Sequence, residues 1–284
     1  MLKEYHLHKD DDFKLQLEIN NAAPYCQKNV AHCFKPHRHS FFQIIWFQEA
    51  GKHFVDYQVY EHPANAVFFL STGQVHYFCK ESNNVGYLFH FNESFLHQQA
   101  TYQTNLMRYR IFNELEQPFV VLPSDKLEQF QFLHQQLSSE IQHQAFNYKQ
   151  QIFYYFQILL LNIERLKQKQ QAQPPMNHHF ELALQFKKAV EEHQHEVHSV
   201  AYYSQLLGIS DKTLTNISKK YLHNTPAKII HQRKILEAKR LLSNSNLSIK
   251  EVAYQLGFEQ ATYFTKYFKK YTNTTPKAFQ QQLL

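Results

Sequence analysis

The chain has 284 residues, enough for two cores of ordinary domain size. Hydrophobic residues make up 43% and aromatics 15%, which excludes a disordered chain, and no run reaches the roughly 18 apolar residues of a membrane span. The net charge of +6 is unevenly spread: residues 1–177 carry 15 basic and 16 acidic side chains, residues 178–284 carry 15 and 8. An excess of +7 confined to the last third is the pattern of a nucleic-acid-binding module joined to a near-neutral partner. The opening residues, Met1 to His6, are polar and lack the apolar run of a signal peptide, so a cytoplasmic protein is expected. The three cysteines, Cys26, Cys33 and Cys79, include no CxxC pair, which argues against a zinc finger or a disulfide framework.

Up to about residue 122, short β-type runs are broken by turn residues: Phe41–Phe47, Phe54–Tyr60, Ala66–Leu70 and Tyr87–Phe91. The texture then becomes helical. Ser124 and Asp125 read as caps, followed by Leu127, Phe130, Leu133 and Leu137 at three- and four-residue spacing. A second helix carries Ile152, Phe153, Phe156, Leu159, Leu160 and Ile163. From Lys167 to His179 the chain is Gln-rich, contains Pro174 and Pro175, and reads as an interdomain linker. Everything after it is helical. The expected division is a β domain over 1–122, a helical segment over 123–168, a linker over 169–178 and an all-α domain over 179–284.

The all-α part repeats itself. Ser199 to Leu214, Lys219-Lys220-Tyr221 and Thr225-Pro226 match Ser248 to Phe264, Lys269-Lys270-Tyr271 and Thr275-Pro276. The offset is 49 up to Gly208 and Gly257 and 50 beyond them, so the second unit has one extra turn residue. The chain has only five glycines, and two occupy matching places. Each unit reads as a helix-turn-helix. Ser199 and Ser248 are N-caps, and Ser248 to Glu251 form a capping box. Gly208 and Gly257 allow the sharp turn, and helices Asp211–Leu222 and Gln260–Thr272 bury Leu214 and Phe264. Thr225-Pro226 and Thr275-Pro276 start further helices.

On these motifs, residues 180–284 resemble the tandem helix-turn-helix domain of the AraC/XylS family of bacterial transcription regulators. The second unit carries the closer likeness, from Gly257-Phe258 through Tyr263-Phe264 and Phe268-Lys269-Lys270 to Thr275-Pro276. The first departs from the family pattern at Asn216 and Ser218, and His223 and Asn273 stand where glycine is usual. The resemblance implies base-reading residues Lys212, Thr215 and Asn216 in the first unit and Thr262, Tyr263, Thr265 and Lys266 in the second. Lys219, Lys220, Lys269 and Lys270 would contact phosphates, orienting the protein without reading sequence. Pro226 to about Leu242 would be the helix joining the units, spanning roughly 25 Å.

Residues 30–100 resemble the cupin-type sensor domain of the same family, on His37-Arg38-His39-Ser40-Phe41-Phe42-Gln43, Gly51 and Ser71-Thr72-Gly73-Gln74-Val75-His76. Strand alternation puts His37 and His39 on one face with Phe41 and Gln43 following, and His76 could close the set. Metal-dependent cupin enzymes hold an ion with such histidines and a Glu, but Gln43 stands at the Glu position. His37, His39, Gln43 and His76 are therefore expected to bind a small organic effector, with no metal or other cofactor assigned. The run His193-Gln194-His195-Glu196-Val197-His198 reads as a solvated loop. No P-loop, GxSxG or HExxH motif points to an enzyme.

The expected architecture is an N-terminal cupin-like β-barrel with two trailing helices and a C-terminal all-α domain with two helix-turn-helix units. The expected function is that of a ligand-responsive regulator binding double-stranded DNA, an activator acting on RNA polymerase, and a homodimer through the two helices before the linker. Those helices alternatively cover the barrel's open side. A metal-dependent cupin oxygenase with a DNA-binding tail, or a non-DNA interaction module, are the rival readings.

Overall fold

The computed structural model describes residues 3–8, 14–97, 111–112, 117–170, 177–222, 224–243 and 247–282. His223 and most of the expected linker, residues 171–176, lie outside them. The chain divides into two compact units, Lys3–Ala172 and Gln173–Leu284.

The first unit contains β1 (Lys3–Tyr5), β2 (Leu17–Asn21), α1 (Ala22–Lys28), α2 (Val30–Cys33), β3 (His37–His39), β4 (Phe42–Phe47), β5 (Gly51–Val55), β6 (Gln58–His62), β7 (Ala66–Leu70), β8 (His76–Phe78), β9 (Gly86–Phe91), α3 (Glu93–His97), β10 (Phe119–Val121), α4 (Ser124–His143) and α5 (Tyr148–Gln170). Among the described residues the strands form two five-stranded sheets, ordered β1-β3-β8-β5-β6 and β10-β7-β4-β9-β2. In place of the expected barrel, the described residues form two sheets with no hydrogen-bonded closure detected between them.

Strand β4 shows how the two cores arise. All six of its residues are buried, because both faces are covered. Phe42, Ile44 and Trp46 join the core formed with Phe130 of α4 and Phe156 of α5, whereas Ile45 and Phe47 pack with Val55, Phe68, Leu70 and Phe78. Pleat alternation sends neighbouring side chains to opposite faces, so Gln43 shares the face of Ile45 and Phe47. The buried stripes of α4 and α5 therefore cover a sheet. Their opposite sides leave Phe132, Tyr154, Ile158 and Leu161 exposed.

Several local expectations need correction. The run Phe54–Tyr60 is two strands, because Asp56 and Tyr57 adopt φ of 45° and 68° and turn the chain into the β5–β6 hairpin. Pro123, not Ser124 or Asp125, is the N-cap of α4, and no side chain caps it. Helix α5 runs on to Gln170, with Lys167 buried and donating to the Ile111 carbonyl at 2.8 Å. An amphipathic lysine whose ammonium finds a buried carbonyl can sit in the last turns of a core helix, which the Gln-rich texture concealed.

The second unit contains α6 (His178–Glu192), α7 (Val200–Leu206), α8 (Asp211–Tyr221), α9 (Pro226–Leu242), α10 (Ile249–Gln255), α11 (Ala261–Thr272) and α12 (Pro276–Gln282). Asn177, at the end of the expected linker, caps α6 by accepting from the Phe180 amide. Ser199 accepts from Tyr202, Thr225 from Lys228, and Ser248 with Glu251 forms the full capping box. Gly208 and Gly257 have φ of 66° and 79°, the left-handed conformation that ends α7 and α10. Leu214 and Phe264 are completely buried, the latter among Val252, Ala253, Leu256 and Phe268.

Candidate DNA interface and buried histidine group

Helices α8 and α11 are the second helices of the two helix-turn-helix units. Each buries one stripe and exposes the other. Lys212, Asn216, Lys219 and Lys220 of α8 are exposed, with Thr215 half-buried. On α11, Thr262, Tyr263, Lys266, Lys269 and Lys270 are exposed and Thr265 is half-buried. None of the residues expected to face DNA is buried, and all but Thr215 and Thr265 are exposed. Two differences matter for chemistry. Thr265 donates its hydroxyl proton to the Ala261 carbonyl at 2.9 Å, so what it leaves for any outside partner is a methyl group and lone pairs rather than a free donor. Tyr263 is one of the exposed large side chains of this unit, 58% open to solvent. Lys220 and Lys270 rest near the rings of Tyr221 and Tyr271, at 5.1 and 5.3 Å, a repeat of the same local packing.

The scaffold between these helices depends on a residue the sequence did not single out. Lys234 of α9 is 5% exposed and donates to the carbonyls of Gln194 and Glu196, both at 2.5 Å, and of Leu256 at 3.1 Å. Burial pulls its pKa down to about 8, with Glu196 and Glu237 opposing the shift. Its neighbour Arg233 donates to the Gln194 side chain at 2.8 Å. The His193–His198 run is therefore more than a solvated loop: Glu196 and Val197 are exposed, but its backbone is fastened to α9 and to the end of α10. The signal was a pair of basic residues on the inner face of an amphipathic helix.

In the first unit, His37 and His39 on β3 and His76 on β8 are drawn together by pairing of the two strands, His37 directly opposite His76. All three are buried, and one ring nitrogen from each lies within 4.8 Å of the others. The Nε2 atoms of His39 and His76 are 3.1 Å apart. Gln43 is linked to them through His90. The strand breaks after His39, and Gln43 lies in the other sheet, where its Nε2 meets the Nε2 of His90 at 3.1 Å. Its Oε1 is buried with no hydrogen-bond partner among the described residues.

Two further members were missed. His53 Nε2 approaches His76 Nδ1 at 3.2 Å, and the His90 ring lies 6.1 Å from that of His39. Both alternate along their strands with core residues, His53 with Val55 and His90 with Leu88. That period of two was legible and places them on the interior face. Burial is the chief reason that His39, His53 and His76 sit well below the ordinary histidine pKa, His37 at about 4 and His90 at about 3, with neighbouring imidazoles contributing. All five are neutral near pH 7, so each carries one N–H and one lone pair. His37 Nδ1 donates to the Lys35 carbonyl at 2.8 Å, which leaves its Nε2 with the lone pair.

Residues 203–282 match a helix-turn-helix domain family model. An uncharacterized HTH-type transcriptional regulator, YisR of Bacillus subtilis (strain 168), is 29% identical over 218 residues, 73% of this chain and 74% of its own. Histidine kinase P4 of Formosa agariphila is 35% identical over 96 residues, 34% of this chain but only 7% of the kinase, so the likeness is confined to a short part of that protein. A crystal structure of an AraC-type transcriptional regulator from Chromobacterium violaceum covers 36% of this chain and 92% of its own, at 22% identity and a TM-score of 0.33. With its repeated caps and glycine turns and its match to that model, the C-terminal unit of this chain carries a helix-turn-helix domain, and the N-terminal unit is β-rich.

Proposed function

We propose that this protein is a ligand-responsive activator that reads a specific DNA site as a homodimer and acts on RNA polymerase. The supporting observation is the buried group around His37, His39 and His76, polar chemistry inside a β unit separate from the DNA-binding unit. A stripe of neutral imidazoles between apolar sheets costs stability unless it is used, because buried polar groups must find partners. The exposed Phe132, Tyr154, Ile158 and Leu161 on α4 and α5 offer an apolar face for a second copy. In this reading Lys212, Thr215, Asn216, Thr262, Tyr263, Thr265 and Lys266 read bases, while Lys219, Lys220, Lys269 and Lys270 hold phosphates. A ligand in the β unit regulates by binding one arrangement of the regulator more tightly than the other.

The test is DNA affinity of the full chain, measured by fluorescence anisotropy with and without fractionated cell metabolites. A fraction that changes the affinity of the wild type, but not of a folded His37→Ala/His39→Ala variant, supports the reading. Equal response of both proteins places sensing elsewhere. Basal DNA binding is expected to survive in the variant.

A further inference from the structure

We propose that Lys234 is a positioning residue for DNA recognition. By fastening the His193–His198 segment to the end of α10, it fixes how α8 and α11 stand to one another, and so selects DNA sites by the spacing of their two halves. This rests on the proposed reading of α8 and α11 as the helices that meet DNA.

Lys234 is the middle residue of α9, which packs against α6 and α8 of the first helix-turn-helix and against α10, α11 and α12 of the second. A joining helix sets the distance between two bodies, but a second contact off its axis is needed to set their rotation. The His193–His198 segment, which leads from α6 into α7, supplies that contact. The Lys234 ammonium donates to the Gln194 and Glu196 carbonyls of this segment and to the Leu256 carbonyl at the end of α10. One side chain thus holds backbone from both helix-turn-helix units. Beside it, His195 Nδ1 donates to the Gln255 carbonyl at 3.3 Å. The His195 carbonyl in turn lies so close to Gly257 that no Cβ fits between them.

The chemistry of the joint makes it specific. Arg233, Lys234, Glu237 and Arg240 are all buried on α9, whereas Ile235, Ala238 and Leu242 of the same helix enter the apolar core of the second helix-turn-helix. Apolar surfaces slide over one another at little cost, because hydrophobic burial has no direction. An ammonium between three carbonyls does not slide. Each hydrogen bond demands its own distance and angle, and a displaced one leaves a buried charge or carbonyl without its partner. The consequence reaches DNA because one base pair moves a half-site about 3.4 Å along the duplex and about 35° around it. Two helices held in one arrangement match one spacing, and at any other spacing one of them loses its base contacts.

The experiment selects bound duplexes from a random-sequence library with the full-length protein and reads the distance between the two enriched half-sites. Affinities are then compared for the best site and for versions with one base pair inserted or deleted between the halves. The wild type is expected to enrich a single spacing and to lose about 10-fold or more on either change. Lys234→Met, which keeps the aliphatic stem and removes the donor, should enrich a spread of spacings and lose at most about 3-fold. Gly257→Ala pushes on the same segment from the opposite side and should broaden or shift the spacing as well. Phe268→Leu measures simple destabilisation: it loosens the apolar core of the second helix-turn-helix and should weaken binding at every spacing by the same factor. Circular dichroism and thermal melts accompany each variant. Folded Lys234→Met and Gly257→Ala proteins that keep the wild-type spacing overturn the proposal and leave the DNA-reading role standing. A wild type that tolerates the inserted base pair does the same, and no question of mutant folding enters that result. Phe268→Leu broadening the spacing as much as Lys234→Met also overturns it, since lost stability alone would then account for the effect. A wild type that enriches no sequence overturns both readings.

Discussion

Gly257 lies against the carbonyl of His195, so closely that a Cβ built on it would stand 2.6 Å from that oxygen. Its counterpart Gly208 shares the left-handed backbone but has nothing within 4 Å of the same position. The repeated glycines thus serve one purpose in the first unit and two in the second. Gly208→Ala is expected to cost about 1 kcal/mol, the strain of a left-handed alanine. Gly257→Ala should cost at least about 3 kcal/mol, since backbone must also move. Denaturant melts of the two variants measure the difference, and equal costs would show that the loop yields freely.

Lys234 secures the same joint from the other side. Lys234→Met keeps the stem and removes a donor shared by three carbonyls, at an expected cost of about 3 kcal/mol. The pH dependence carries a sign. With the folded pKa near 8, the unfolded chain binds this proton more tightly, so between pH 8 and the ordinary 10.5 the group makes stability rise with pH. Unfolding at pH 7.5, 8.5 and 9.5 should show that rise in the wild type and a flatter profile in the variant.

The exposed lysines should make DNA affinity strongly salt-dependent. With about six phosphates neutralised, a plot of log affinity against log salt has a slope of about −5. Removing Lys219, Lys220, Lys269 and Lys270 together should flatten it by about 3 to 4 units. A slope unchanged in that variant would move the phosphate contacts to other residues.

In the proposed function, reading and positioning are divided between Lys266 and Lys269, about one turn apart and both exposed on α11. Lys266→Ala should cost about 1–3 kcal/mol on the cognate site and relax preference at one base pair. Lys269→Ala should weaken cognate and scrambled duplexes alike. Competition binding on both duplexes checks this, and identical profiles for the two variants would overturn the division.

Ser218 and Phe268 occupy matching places, and both are completely buried. Ser218 Oγ has no hydrogen-bond partner among the described residues, so Ser218→Ala should be neutral or stabilising by up to about 1 kcal/mol. Phe268→Ser should cost about 3–5 kcal/mol through the cavity it leaves. Thermal melts of the full chain report both.

Most of the helical domain was legible because its signals are local. Ser199, Thr225 and Ser248 cap helices through atoms three residues away, and Gly208 and Gly257 turn through their own backbone torsions. A repeat doubled each signal. The same reasoning failed at Phe54–Tyr60, where Asp56 and Tyr57 hide a hairpin turn without glycine, and at Lys167, whose satisfaction depends on a carbonyl 56 residues away.

The histidine group marks the boundary most clearly. The i, i+2 spacing of His37 and His39 and the strand periods of His53 and His90 determined which side chains point inward, since the pleat is a property of the strand itself. Which of those residues meet was decided by pairing of β3 with β8 and β8 with β5, across separations of 39 and 23 residues between His37, His53 and His76. Among the described residues, Gln43, on β4 of the other sheet, meets the group only through His90. Strand order depends on which apolar faces can be buried together over the whole unit, and no local pattern in the sequence carries that sum.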